Sequence, residues 1–372
     1  MSKKRKLYKI GYITKLLDIT PRTIRYYDQY GLLPHVKRSS GNVRLFDDED
    51  IEILKKVRRM QKEEYLPLDV IKERLFTKEK KAGKSSSVVV TDSTAALPKE
   101  VIKQLNIHVL PQRVVVSNKA FLDGQTITAR QYAEKCKGVV FRPKIEAPRV
   151  ADYVKLFKDI NNKGIKKIYC AAPASSLSEA YLNAVEASYK VSNTIDVEVI
   201  DSKSTAGGLG LFVQTLAAAV KNLESEEEIN ILISKGIPLG FNLIAVNSLR
   251  YLVTGGVINE SNKAQIELLC KVFDYKPVIG LNGENGEIEI LGFYQTKEEI
   301  LQNLVERVSV EIANRGKYAE QIRITYSFLY ADAVELVNRL KSLYPQTVMT
   351  IVESSAVMSV YLGTEYLGIS VL

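Results

Sequence analysis

Cysteine is scarce: Cys136, Cys170 and Cys270 are three thiols scattered over 372 residues. An odd number without shared spacing indicates neither a disulfide framework nor a zinc knuckle. Two histidines, His35 and His108, are too few for a histidine-rich metal site. No apolar run approaches the ~20 residues of a membrane-spanning helix, so no membrane insertion is expected. The opening MSKKRKLYKIGYITKLLD is basic but carries no sustained apolar stretch. It does not read as a signal peptide, and a cytoplasmic location is expected. Residues 87–372 contain no phosphate-cradling P-loop and no GxGxxG fingerprint, and no cofactor is expected. No serine–histidine pairing is visible either, because His108 lies in the apolar strand IHVLP. The chain is therefore not expected to be an enzyme.

The hydrophobic content of 46% is ample for two packed domains, and a charged content of 26% does not suit a disordered chain. The net charge of +9 is unevenly placed. Residues 1–86 hold 22 basic and 12 acidic side chains, a net of +10, whereas the remainder balances 30 against 31. Such asymmetry points to a polyanion-binding module joined to a neutral domain. A solubilising charged face is the plainer alternative. The boundary falls at TKEKKAGKSSS, a polar, lysine-rich stretch where helical patterning stops. Expected domains are residues 1–76, a linker at 77–87, and residues 88–372.

In the first domain, YKIGYITKLL has helical periodicity, with Ile10, Ile13, Leu16 and Leu17 on one side. Asp18-Ile19-Thr20 is a tight turn. Thr20 suits an N-cap, Pro21 the first helical position and Gly31 the stop after the helix. Two short helices on a three-residue turn make a helix-turn-helix, whose second helix would lead with Arg22, Arg25 and Tyr26. These side chains suit phosphates or base edges, while Ile24 and Tyr27 face inward. HVKRSSGNVRLF reads as a hairpin carrying Lys37, Arg38 and Arg44. Asp47 or Asp48 caps the next helix, and Pro67 opens another.

These elements, in this order and spacing, resemble the DNA-binding domain of the MerR family of transcription regulators. The resemblance implies DNA contacts at Thr20, Arg22, Thr23, Arg25 and Tyr26, and at Arg38 and Arg44 on the wing. It also implies a homodimer on near-palindromic double-stranded promoter DNA, with RNA polymerase as a partner. The usual long dimerisation helix is not readable here, because LFTKEKK runs straight into Gly83 and a serine run.

After the boundary, strands alternate with helices. SVVVTDS, KKIYCAAPAS and DVEVIDS are strands separated by amphipathic helices at 150–164 and 177–191, the pattern of a parallel sheet. EIEILGFYQT, opened by NGENGE, reads as an antiparallel hairpin in a second lobe. Gly207-Gly208-Leu209-Gly210 reads as close packing of a helix on a sheet. ASSLS, between a strand and a helix, reads either as an anion site or as N-capping by Ser176 or Ser178.

The series VVVTDSTAALPKEVIKQLNIHVLPQRVVV, SSLSEAYLNA, VIDSKSTAGGLG, NSLRYLVTGGVI, DYKPVIGLNGENGEI and YLGTEYLGI resembles the DegV family of two-lobed fatty-acid-binding proteins. It implies an α/β lobe with a parallel sheet, an α+β lobe, and an acyl chain buried between or within them. The family's SSxLSGTY segment falls on Ser175 to Tyr181, where Ser178 is kept but Glu179-Ala180 replaces Gly-Thr. Its TSQPSP segment falls on residues 145–150, where only Pro148 remains. Its histidine before Thr-Gly-Pro-Gly is Tyr361, and its Gly-Gly-Arg is Gly255-Gly256-Val257. The resemblance places ligand contacts at Ser93, Ser176 and Ser178, with Arg149 as a replacement fork and Tyr361 as a replacement donor. Glu146, Glu179 and Glu365 would repel a free acid, so a neutral or differently headed lipid is a second option, and an empty domain that only dimerises is a third.

The fold class expected is thus multidomain, α followed by α/β: a winged helix-turn-helix and a two-lobed domain. The expected function is a DNA-binding regulator that senses a fatty acid or other lipid-like ligand. The alternative is a fatty-acid-binding subunit that presents acyl chains to a partner kinase, with the helix-turn-helix as an interaction module.

Overall fold

A computed structural model describes residues 7–33, 36–38, 43–63, 67–68, 71–72, 75, 87–136, 143–222, 225–236, 240–250, 252, 270, 274–316 and 319–372. Strand β1 (Tyr8–Lys9) leads into α1 (Ile10–Leu17), which buries Ile13. Asp18 turns the chain in the left-handed region at φ 50°. Thr20, extended, then accepts the Thr23 N–H at 3.1 Å and starts α2 (Pro21–Gln29) with Pro21 in the first turn. The expected cap and proline are both present, because each acts within one turn of chain. Ile24 and Tyr27 are buried as expected, and Gly31 follows the helix at φ 81°.

The wing forms from β2 (Lys37–Arg38) and β3 (Arg44–Phe46), antiparallel, with β1 as the third strand. Its turn at 39–42 lies outside the described residues. Helix α3 (Asp48–Glu63) is capped reciprocally: Asp47 accepts the N–H groups of Glu49 and Asp50, and Asp50 accepts that of Asp47. Residues 77–86 of the expected linker, and the expected Gly255-Gly256-Val257, also lie outside the described residues.

The first lobe begins with β4 (Ser87–Asp92), α4 (Lys99–Gln104) and β5 (His108–Leu110). Ser87, expected as the last linker residue, is already in the sheet. A small antiparallel sheet follows, from β6 (Arg113–Val116), β7 (Lys119–Leu122) and, after α5 (Ala129–Cys136), β8 (Lys144–Glu146). Helix α6 (Val150–Asn162), β9 (Lys167–Ala172), α7 (Ala180–Val191) and β10 (Asp196–Asp201) complete the lobe. The order β10-β9-β4-β5 is parallel throughout, as the spacing of apolar strands by helices requires.

Helix α8 (Ala206–Asn222) and α9 (Glu226–Gly236) join the lobes. The second lobe comprises β11 (Phe241–Val246), β12 (Lys276–Leu281), β13 (Ile288–Tyr294), α10 (Lys297–Asn314), β14 (Gln321–Ser327), α11 (Tyr330–Leu343), β15 (Val348–Glu353), α12 (Ala356–Leu362) and β16 (Tyr366–Val371). Its sheet runs β13-β12-β11-β16-β14-β15, antiparallel except for the β14–β15 pair. The expected hairpin is β12–β13.

Helix α8 is the centre of the molecule, buried from Ala206 to Val220. Its glycines permit this. A Cβ on Gly210 would stand 2.7 Å from the Ala96 carbonyl oxygen and 2.5 Å from Arg323 Nη1. The winged-helix core, including Ile24, Tyr27 and Leu54, is continuous with Leu209, Phe212 and Leu216 of α8. The Leu68 N–H also donates to the Glu320 carboxylate at 2.7 Å, and Arg58 reaches Gln346 at 3.5 Å. The module is seated on the rest of the chain through both apolar and polar contacts.

Candidate ligand cavity and nucleic-acid interface

Ligands of open α/β sheets gather beyond the carboxyl ends of the strands. Here β4 ends in Asp92 and runs on to Thr94, β9 ends before Pro173, and β10 runs on to Thr205. These segments face β11, β12 and α12 of the second lobe across a cavity of about 560 Å³, part of it open to solvent. Ile244, Leu252, Ile279, Ile288, Met358 and Leu362 make most of the wall apolar. Thr94, Gln112, Ser178, Thr205, Asn242 and Tyr361 supply its polar groups.

Two buried carboxyls stand near this wall. Asp92 is fully buried and accepts the Thr94 N–H at 2.8 Å, the Thr94 hydroxyl at 2.5 Å and the Gln112 side-chain N–H at 2.7 Å. Burial pushes its pKa up, against the pull of those donors. Asp123 accepts the Ala356 N–H at 2.9 Å, which ties the loop after β7 to the start of α12. Burial pushes its pKa up to about 6, with Ser93 and Ser355 opposing through hydrogen bonds.

Of the expected ligand residues, Ser178 and Tyr361 line the cavity. Ser178 Oγ also accepts the Ala180 N–H at 3.2 Å, at the opening of α7. The other three are placed elsewhere. Ser93 accepts the Gln112 N–H at 3.1 Å and turns to Asp123. Ser176 donates to the Gly286 carbonyl at 2.8 Å, pinning the β12–β13 turn to the first lobe. Arg149 is exposed at the start of α6 and pairs with Glu146 at 3.2 Å. Its guanidinium belongs to a surface ion pair rather than to the cavity wall. Sequence reasoning did not single out Thr94, Gln112, Thr205 or Asn242. The one available signal was Asn242, a polar residue inside the apolar strand FNLIAV.

On the winged helix, Arg22 and Arg25 are exposed on α2. Thr23 is buried, its hydroxyl 2.9 Å from that of Thr20, so both threonines serve the helix start. Tyr26 is half-buried and packs on Tyr30 with ring centroids 5.7 Å apart. Arg44 donates through Nε to Asp28 at 2.6 Å, locking the wing to α2, and pairs in register with Arg38 across the hairpin. The exposed arginines of α2 form a cationic first turn suited to phosphate.

A winged helix-turn-helix ahead of a two-lobed α/β ligand-binding fold is thus the class this structure defines. Comparison with known proteins makes it specific. Residues 86–372 match the model of the DegV family of uncharacterised proteins, and the chain belongs to that family. Residues 8–76 match the model of the MerR helix-turn-helix family of regulatory proteins. A DegV domain-containing protein of Staphylococcus aureus (strain COL) is 27% identical over 295 residues, covering 77% of this chain and 99% of the relative. One from Listeria monocytogenes is 23% identical over 282 residues, covering 76% of this chain and 96% of the relative. Among solved structures, a fatty acid binding DegV family protein from Streptococcus agalactiae superposes with a TM-score of 0.68 at 24% identity, covering 77% of this chain and 98% of that one. DegV, a fatty acid binding protein from Bacillus subtilis, gives 0.67 at 24% identity, with 76% and 98% covered. No described helix is long and apolar enough to cross a membrane.

Proposed function

We propose that this chain is a DNA-binding transcription regulator of MerR type whose DegV domain senses a fatty acid or other lipid-like ligand. One observation carries the reading. The helix that presents Arg22 and Arg25 shares an unbroken core with α8, and α8 begins beside Thr205 in the cavity wall. Binding and DNA recognition therefore meet on one buried helix. The polar contacts follow the same route. Tyr27 donates to Gln61 Oε1 at 2.6 Å, and Gln61 borders a crevice shared with Gln321. Gln214 of α8 donates to Gln321 Oε1 at 2.9 Å, and Arg323 Nη1 donates to the Ala96 carbonyl, also at 2.9 Å. Ala96 lies two residues from Thr94 of the cavity.

A ligand alters DNA affinity only by binding one placement of the module more tightly than another. In this reading two copies in the cytoplasm grip a near-palindromic promoter beside RNA polymerase. The solved DegV proteins described as fatty acid binding support the ligand half, and the +10 charge of residues 1–86 supports the DNA half. The test is mass spectrometry of organic extracts of the purified chain, followed by promoter-fragment binding with and without the extracted lipid. Empty protein whose DNA affinity ignores added lipids would overturn the sensor reading.

A further inference from the structure

The turn between β12 and β13, residues 282–287, reaches the first lobe at Gly286, its one buried residue. The Ser176 hydroxyl donates to the Gly286 carbonyl at 2.8 Å. A Cβ on Gly286 would stand 2.7 Å from Ala174 Cβ and 3.2 Å from Lys203 Cα, and φ there is 73°, so the contact is built for glycine. The seat holds its shape without the turn. The N–H and hydroxyl of Ser175 and the N–H and ammonium of Lys203 all donate to Asp201, which ties residues 173–178 to the end of β10. The turn is a unit as well. Asn282 Oδ1 accepts the N–H groups of Glu284 and Asn285, and the Gly286 N–H donates to the Asn282 carbonyl at 2.8 Å.

Both surfaces border the cavity. Leu281 and Ile288, on either side of the turn, line it, and so do Pro173, Leu177 and Ser178 around Ser176. The Ser176–Gly286 contact therefore joins the two lobes at the edge of the cavity. The rest of the hairpin tip is lightly held. Strand β13 is the outermost of its sheet, and the pairing of β12 with β11 ends at Gly280. From there residues 281–288 continue as a two-stranded ribbon, an arrangement of marginal stability by itself. A bulge lies just before that point, where the register shifts between Val278 and Ile279 and Leu291 is the extra residue. Bulges bend a strand and interrupt its ladder, and a bulge beside a glycine is a place where a hairpin flexes.

We propose that residues 281–288 are a latch on the lipid cavity: the ribbon tip bends at Gly280, and the Ser176–Gly286 hydrogen bond holds it shut. The inference rests on the lipid-binding reading above and adds the way in and out. A latch governs rates more than affinity. Weakening it raises the share of open protein, so ligand enters and leaves faster in equal proportion while the closed form still predominates. A fixed wall behaves differently. Ser176 does not line the cavity, and its loss from a fixed wall would leave the association rate unchanged.

The test is stopped-flow fluorescence with cis-parinaric acid on the delipidated full-length chain. Mixing gives the association rate, and displacement by excess oleate gives the dissociation rate. Ser176→Ala is expected to raise both rates about fivefold, the Boltzmann factor of one net hydrogen bond, and to change Kd by less than about twofold. Gly286→Ala, which forces the turn off its seat, is expected to raise both rates further. Glu284→Ala, at the exposed tip, is the control and should change neither. Unchanged rates in both latch variants, or a weaker Kd with an unchanged association rate, would overturn the latch and leave the lipid-binding reading standing. A wild-type chain that does not bind the probe would overturn both.

Discussion

The Leu68 N–H donates to the Glu320 carboxylate at 2.7 Å, across the junction between the winged helix and the second lobe. Leu68 lies in the first turn of a helical stretch, where backbone N–H groups have no partner in their own helix. A carboxylate suits that position by charge and geometry, so Glu320 acts as a cap supplied by another domain. Glu320→Ala is expected to leave the fold intact, because the shared apolar core remains. It is expected to weaken the influence of ligand on DNA affinity. Fluorescence anisotropy with a labelled promoter fragment, with and without ligand, measures this. A variant with the full wild-type response would show that the contact does not couple the sites.

Arg25 is exposed on α2 and Arg44 is held against Asp28, which gives the two arginines different roles. Arg25→Ala is expected to lower promoter affinity by about tenfold, and to flatten the salt dependence by about one unit of slope, as loss of one phosphate contact requires. Lys155→Ala, an exposed cation on α6, is the control and should change neither quantity. Equal effects from both substitutions would mean that overall charge, rather than the α2 surface, holds the DNA.

Asp123 makes stability depend on pH in a defined direction. Burial raises its pKa from 3.8 to about 6, so the folded chain holds the proton more tightly than the unfolded chain does. The stabilisation is complete below the unfolded value and is lost as pH rises through the folded one. Across that window it amounts to about 3 kcal/mol, from 1.36 kcal/mol per pKa unit. Asp123→Asn keeps a carbonyl to accept the Ala356 N–H but does not ionise. Relative to wild type, the variant should therefore gain about 3 kcal/mol as pH rises from below about 3.8 to above about 6. Urea unfolding at several pH values checks this. A difference independent of pH would mean that the carboxyl is not protonated in the folded state.

What was legible in the sequence was local. The Thr20-Pro21 start, the Gly31 stop and the Asp47 cap each act within a few residues, and all are present. The parallel sheet followed from apolar strands separated by helices. The cavity was legible only in part, because it is assembled by topology. Gln112, Thr205 and Asn242 come from three distant segments, and no periodicity relates them. The motif Thr91-Asp92-Ser93-Thr94 marked a segment that reaches the cavity wall. Ser93 turns to Gln112 and Asp123, and its neighbour Thr94 reaches the cavity. Arg149 had suitable chemistry, but Glu146 three residues earlier holds it at the surface.

Gly210 tests the packing on which the proposed coupling depends. It lies on α8, where the helix passes under the segment carrying Thr94 and Ala96. A methyl group there would approach the Ala96 carbonyl oxygen to 2.7 Å and Arg323 Nη1 to 2.5 Å. Arg323 is fully buried and already donates to that carbonyl, and the carbonyl is backbone. Neither atom yields without moving a strand end. Gly210→Ala should therefore cost about 1–3 kcal/mol, the range for overpacked cores, despite the better helix propensity of alanine. Gly236→Ala, at the end of α9, is the comparison. There the new carbon would meet Phe212 at an ordinary 3.4 Å, so the effect should be small. Chemical denaturation gives the two costs. The shift of the Ala96 segment should also weaken lipid binding in the Gly210 variant, because Thr94 moves with it. A Gly210→Ala protein with unchanged stability and unchanged ligand affinity would show that α8 and the cavity wall move independently.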